Sequence, residues 1–385
     1  MTKFTAVDAL LKRAAEETAP AIQLVVRQRG RAIFAGAYGW LDPATRQYPT
    51  QLTARFDLAS VTKLFVTTAF MRLVEQGAVQ LNQAVATVLP AFSGQRPIQP
   101  YEDPLQSGAL ITVMANPTGS TIDAADVTFR HLLTHSAGLP AWRPLFQQAD
   151  ADAARQMVRE TFFSAPIGAQ IVYSDIGLIL LGMSIEALTG LALDQAVRTL
   201  VLAPLGLAQT DYLPLEQRGT TPPCDPSTVA PTEFCRWRQR RVVAQVHDEN
   251  AAQLGGVAGH AGIFSTAGDV ARFGQLFLDD GRINSDERLL QAETVQEMRR
   301  VQVQSADTQR GLGFLLWSSD PQASSHPFRK SAFGHTGFTG TSLWIDPDRD
   351  LVVACLTNEV YHGRKNRGIA ALRVAIHQAV VNAVD

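Results

Sequence analysis

The sequence predicts an α+β fold: one antiparallel sheet built from both chain termini and flanked by helices, with a mainly helical domain inserted between them. Two patterns predict it. Strand-like runs stand near the two ends, at residues 21–27 and 32–38 and again at 312–317, 339–345 and 351–356. Helix-spaced apolar runs fill the middle, and no βα repeat links them, which argues against a parallel sheet. The expected division is a sheet domain of residues 1–78 and 246–385, with a helical insertion of 79–245.

Taken in order, Val7, Leu10, Leu11 and Ala14 recur at helical spacing. Gln28, Arg29, Gly30 and Arg31 join the first two strands as a hairpin. From Leu64 to Val74 the chain leaves almost no polar face, and Gly77 follows as a helix-ending glycine. A helix apolar nearly all round belongs inside a protein. Residues 90–125 are long, weakly patterned and rich in Pro, Gly and Ser, the mark of a functional loop or insertion. Helices are expected over 127–133, 151–163, 176–188, 193–203, 267–279, 287–300 and 367–381. The glycines Gly255, Gly256, Gly259 and Gly262 lack the lysine and spacing of a phosphate loop and read as close backbone packing.

Composition limits the function. In 385 residues, 34 basic side chains balance 36 acidic ones, so no basic excess points to nucleic acid or acidic membranes. No basic start leads into a continuous apolar stretch, so the N-terminus carries no secretory signal pattern, and a cytoplasmic protein with a small-molecule substrate is expected. Three cysteines do not make a disulfide framework; Cys224 and Cys235 could pair only in an exported chain. No CxxC-type cluster suggests zinc, and no cofactor is expected. The arginines Arg236, Arg238, Arg240 and Arg241 read as a solvated loop or a carboxylate-binding rim.

The chemistry concentrates at the start of the buried helix. Ser60 and Lys63 stand three residues apart, so on a helix they share a face. Burial and the helix N-terminus both disfavour a second cation there, and Lys63 is therefore expected to be poised to accept the Ser60 proton. Tyr173, Ser174 and Asp175 precede a second apolar helix, and His335, Thr336 and Gly337 lie in a C-terminal strand.

These three motifs, in this order, resemble the serine β-lactamase and penicillin-binding-protein superfamily. The nearest branch is that of class C β-lactamases, D-alanyl-D-alanine carboxypeptidases and family VIII carboxylesterases. Residues 132–140 and 259–265 resemble further segments of that branch, and the likeness covers about residues 20–380. The resemblance implies a β-lactamase/transpeptidase-like fold, Ser60 as acylated nucleophile, Lys63 as its base, and Tyr173 as the group exchanging protons with serine and leaving group. It implies an oxyanion hole from the backbone N–H groups of Ser60 and Phe338, with His335, Thr336 and Gly337 along the substrate.

Two residues depart from the family pattern. Asp175 stands where an asparagine is usual; it cannot donate an amide hydrogen bond, and its charge is expected to pair with Lys63. His335 replaces the usual lysine, which implies weaker, pH-dependent recognition of a substrate carboxylate. The segment His247-Asp248-Glu249-Asn250 borders the site in relatives, with no role assigned. Ser136, in Thr134-His135-Ser136-Ala137-Gly138, approximates a nucleophile elbow but follows a helix-like run instead of a strand. The first expectation is a carboxylesterase acting on short-chain esters, with weak β-lactam hydrolysis alongside. The alternatives are a class C-like β-lactamase, a D-amino-acid peptidase or amidase, and a penicillin-binding-like sensor that acylates without turnover.

Overall fold

A computed structural model of the protein describes residues 3–106, 108–114, 120–215, 225–365 and 368–385. Cys224 lies outside them. Strands β1 (Ala21–Gln28) and β2 (Arg31–Gly39) form the expected hairpin. Six further strands come from the C-terminal part: β3 (Val303–Gln304), β4 (Gln309–Arg310), β5 (Leu315–Leu316), β6 (Phe333–Thr336), β7 (Ser342–Asp346) and β8 (Leu351–Thr357). They make one eight-stranded sheet in the order β3-β4-β5-β6-β7-β8-β1-β2. Neighbours are antiparallel, and β1 pairs with β8 so that Leu24 faces Cys355. The two ends of the chain thus close a single sheet.

The helices are α1 (Thr5–Glu17), α2 (Thr62–Glu75), α3 (Phe129–Leu133), α4 (Ala151–Arg159), α5 (Asp175–Thr189), α6 (Leu193–Val197), α7 (Glu249–Gln253), α8 (Ala267–Leu278), α9 (Ala292–Arg299) and α10 (Ile369–Val384). Among the described residues no single helix is long and apolar enough to cross a membrane.

Side chains alternate across a strand, and here both faces are covered. On β8, Leu351, Val353 and Cys355 pack with α1 and α10, whereas Val352, Ala354 and Leu356 join the core containing α2 and α8. That is why β8 reads as a continuous apolar run. A Cβ added to Gly274 of α8 would lie 2.6 Å from Val352 Cγ1, so the helix sits hard against the sheet. The same core continues through α2 into α3, α5 and α6, which explains the missing polar face of α2. Gly77 ends that helix at φ 74°, in the left-handed region.

Local departures from expectation have tertiary causes. The strand expected over 312–317 shrinks to Leu315–Leu316, because the Leu312 and Gly313 N–H groups donate to Met298 and Leu133 instead of to a neighbouring strand. The strand expected from 339 starts at Ser342, because the Thr339 and Thr341 hydroxyls donate to the carbonyls of Asp57 and Leu58. The helix expected from 287 starts at Ala292, since Arg288 bridges back to Arg282.

His377 of α10 is buried, with Nδ1 donating to the Ser324 carbonyl at 2.6 Å, and burial pushes its imidazole down to about 4. Burial pushes His335 down to about 3. Between pH 6.5 and 5 the unfolded chain takes up protons that these folded histidines refuse. Stability is therefore full above about pH 6.5 and falls as pH drops, by up to about 1.4 kcal/mol per pH unit for each such group. Calorimetric Tm should fall from pH 7 to pH 5, and His377→Gln should make that fall shallower; an unchanged slope would refute the assignment.

Candidate active site

The nucleophile turn is held from below. Ser60 lies in a 3₁₀ turn, Ala59–Val61, that leads into α2. Ala59 has φ 46°, an uncommon conformation for a residue with a side chain, and buried Asp57 supports it by accepting the Ala59 N–H at 2.8 Å. The other Asp57 oxygen accepts the His247 N–H at 2.6 Å. Gly337 completes the seam. A Cβ there would meet Thr341 Oγ1 at 2.1 Å and Leu58 O at 2.5 Å, so only glycine lets β6 run this close to the serine turn.

Lys63 is fully buried, and oxygens surround its ammonium. It donates to Ser60 Oγ at 2.8 Å and to the His260 carbonyl at 3.1 Å, and it lies 2.8 Å from Asp175 Oδ1. A lysine kept in its charged form has no lone pair for a proton. This corrects the expectation that burial makes Lys63 a ready base. Desolvation does pull its pKa down, but Asp175 and then Tyr173 outweigh it, and the result lies above the ordinary lysine value. Asp175 pairs with Lys63, as its charge suggested.

Asp175, Asp248 and His260 place their ligand atoms within 4.8 Å of one another, a spacing that could hold a metal ion. The Lys63 ammonium already stands against Asp175, and His260 against Asp248.

Tyr173 is carried by a loop locked onto residues 135–141. The His135 ring, at φ 57°, packs 4.6 Å from the Tyr173 ring, and its Nδ1 accepts the Ser174 N–H at 2.9 Å. Ser174 caps α5 through Gly177 N and donates to the Pro140 carbonyl, while the Asp175 N–H reaches Ala141 O. The 132–140 segment is thus the cradle of the tyrosine. Ser136 within it is buried and bonds to Thr134 Oγ1 at 2.8 Å, with no access to the cleft.

Two cations flank the tyrosine ring: Lys63 Nζ and the Arg310 guanidinium, each 4.9 Å from its centroid. The Tyr173 hydroxyl is buried, with the Lys63 ammonium as its hydrogen-bonding neighbour.

His335 does not carry the charge expected of it. Burial, then Lys63 and Arg310, hold it neutral at ordinary pH. Its Nδ1 lies 2.7 Å from the Thr336 carbonyl, which can only accept, so Nδ1 carries the proton and Nε2 is bare. Charge-based recognition of a carboxylate is therefore not available from this residue.

Ser60, Tyr173, Arg310, His335, Thr336, Gly337 and Phe338 line one cleft of about 530 Å³. Phe338 is 48 % exposed at its lip, with the His247 ring stacked at 5.6 Å. Arg373 of α10 donates to the Gly337 and Thr341 carbonyls at 2.6 and 3.0 Å. In a planar trans peptide the C=O and N–H point opposite ways, so fixing the Gly337 oxygen also fixes the direction of the Phe338 N–H.

The segment 247–250 supports this frame, each residue in a different direction. His247 Nε2 meets Glu233 at 2.8 Å; Asp248 caps α7 and pairs with His260 at 2.9 Å. Glu249 pairs with Arg364, and Asn250 holds the backbone of Phe146 and Arg143. In the nearby arginine cluster, Arg238 and Arg241 bond backbone carbonyls of 247–248, 232 and 361. Gly259 answers to packing: a Cβ would lie 1.9 Å from Leu178 O.

Sequence reasoning missed Arg310 and Arg373. The one available signal was an arginine set directly before the apolar run 312–317.

The fold recurs in known proteins. A curated relative from Bacillus subtilis (strain 168), an N-acetylmuramyl-L-alanine amidase, is 30 % identical over 93 % of this chain and 81 % of its own length. Among solved structures, EstCE1, a hydrolase with promiscuous acyltransferase activity, superposes with a TM-score of 0.71 at 22 % identity over 98 % of both chains. A penicillin-binding-protein homologue from Caulobacter crescentus gives 0.71 at 19 % identity over 99 % of this chain and 97 % of its own. The family model described as Beta-lactamase matches residues 7–377, and the chain belongs to that family of serine hydrolases.

Proposed function

We propose that the protein hydrolyses carboxylic esters through an acyl-Ser60 intermediate, as a carboxylesterase on short-chain esters. The observation that carries this reading is the Lys63 ammonium on Ser60 Oγ at 2.8 Å, at the wall of an open cleft. As a cation, Lys63 stabilises the serine alkoxide while Tyr173, reacting as its phenolate after releasing its own proton to solvent, takes the serine proton. The Ser60 Oγ–carbonyl bond forms, and the oxyanion meets the N–H groups of Ser60 and Phe338. The bond to the alcohol then breaks, and Tyr173 returns its proton to the leaving oxygen. Water repeats the cycle from the other side: Tyr173 takes its proton, hydroxyl adds to the acyl carbon, and Ser60 leaves reprotonated. Negative charge on the tyrosine oxygen is met by Lys63 and Arg310.

Esters are favoured over β-lactams because Asp175, paired with Lys63, has no N–H to offer an amide carbonyl of the substrate. Amide hydrolysis is the second reading, supported by the amidase among the relatives.

The test is incubation with p-nitrophenyl butyrate and with a chromogenic cephalosporin, followed by mass mapping of any adduct. Fast ester turnover, slow cephalosporin turnover and an acyl group on Ser60 are expected. A stable adduct without turnover would make the protein a sensor. Neither signal would leave linear amides as the substrates.

A further inference from the structure

A second recess, of about 350 Å³, lies at the other end of the sheet from the cleft. Its walls are Arg27 and Gly30 of the β1–β2 hairpin, Arg272 and Gln275 of α8, and Asp279 and Arg282 just beyond that helix. Ala21, at the start of β1, bonds to Asn358 beside the cleft residues Glu359 and Val360. Arg27 stands six residues further along the strand, about 20 Å away.

Three guanidiniums share this recess with one carboxylate. Arg27 is fixed in place: its Nη2 donates to the Gly30 carbonyl at 2.6 Å and its Nε to Gln275 Oε1 at 3.3 Å. The Gln275 amide, 6 % exposed at the floor, donates in turn to Asp279. Burial pulls Arg27 below the ordinary arginine value; Asp279 supports its charge and the neighbouring Arg272 opposes it. The Arg272 guanidinium lies over Gly206, 3.6 Å from where a Cβ would stand. Among the described residues neither Arg272 nor Arg282 has an ion pair or a side-chain hydrogen bond. The last turn of α8 offers about half a negative charge, too little to balance the excess.

We propose that this recess binds a small phosphate-bearing anion, a diphosphate or a phosphomonoester, at a site separate from the ester chemistry. The surplus of cations suits a dianion, and guanidinium donors fit phosphate oxygens two at a time. A recess of this size takes a small molecule, and a chain with 34 basic and 36 acidic residues has no basic excess to draw nucleic acid or an acidic membrane. The bound anion would tie the hairpin, α8 and the segment after it together, so it raises Tm by linkage. The site does not depend on the acyl-serine reading, and it can be tested on a protein that hydrolyses no ester.

The experiment is calorimetric titration of sodium pyrophosphate, with ionic strength held constant by chloride, into wild type, Arg272→Gln and the double variant Arg272→Gln/Arg282→Gln. Neither arginine bonds to the fold through its side chain, so both variants should keep the wild-type circular dichroism and ester turnover. Wild type should bind one pyrophosphate and melt at higher temperature with it. Arg272→Gln should weaken binding by about tenfold or more, the order of a charge-assisted hydrogen bond, and the double variant should weaken it further. Equal binding to wild type and the double variant would place the anion elsewhere, the cleft arginines included, and overturn the proposal. No binding to wild type, or a Tm rise matched by chloride alone, would overturn it as well.

Discussion

Ser60→Ala should lower ester turnover by about four decades or more, to the level left by binding and the oxyanion hole. The serine hydroxyl touches the Lys63 ammonium at 2.8 Å and opens onto the cleft. Alanine removes the atom that forms the acyl bond, while Lys63 keeps Asp175 and the His260 carbonyl, so the fold should survive. Ser136→Ala serves as the comparison. Its hydroxyl is buried against Thr134 and has no route to substrate, so that variant should keep most of its activity. Steady-state kinetics with p-nitrophenyl butyrate on both variants decides the matter; comparable losses would mean that the nucleophile has been misplaced.

Tyr173→Phe should cost about two to four decades in kcat with a small change in KM, the range for loss of a general acid–base group. The ring would keep its packing against His135 and its two cations, so little but the hydroxyl would change. The size of the loss follows from the state of Lys63. Held charged beside Asp175, the lysine has nowhere to put the serine proton, and Tyr173 as its phenolate is the acceptor left at the cleft. Full activity in Tyr173→Phe would remove the tyrosine from the mechanism and return the proton to Lys63.

Much of the site was legible because its signals are local. The spacing of Ser60 and Lys63 puts them on one face wherever a helix forms, and the apolar run behind them already requires burial. The same holds for Tyr173 before α5, where Ser174 is a capping residue in sequence and in structure. Charge states were not legible in this way. Lys63 was expected to be a base from burial alone, and His335 a partial cation from its unperturbed titration. Both expectations failed because the deciding neighbours are distant in sequence. Asp175, 112 residues on from Lys63, holds the lysine charged, whereas burial, Lys63 and Arg310 keep the histidine neutral.

By itself, then, the sequence determined which segments become strands and buried helices, that the two ends share a sheet, and which hydroxyl, amine and phenol stand together. Periodicity and capping act over a few residues, so they can be read without knowing what lies across the fold. Only the tertiary structure decided which charges stand beside Lys63, Tyr173 and His335. Those are set by Coulomb interactions and desolvation over a few ångströms of space, between groups that the linear order keeps far apart.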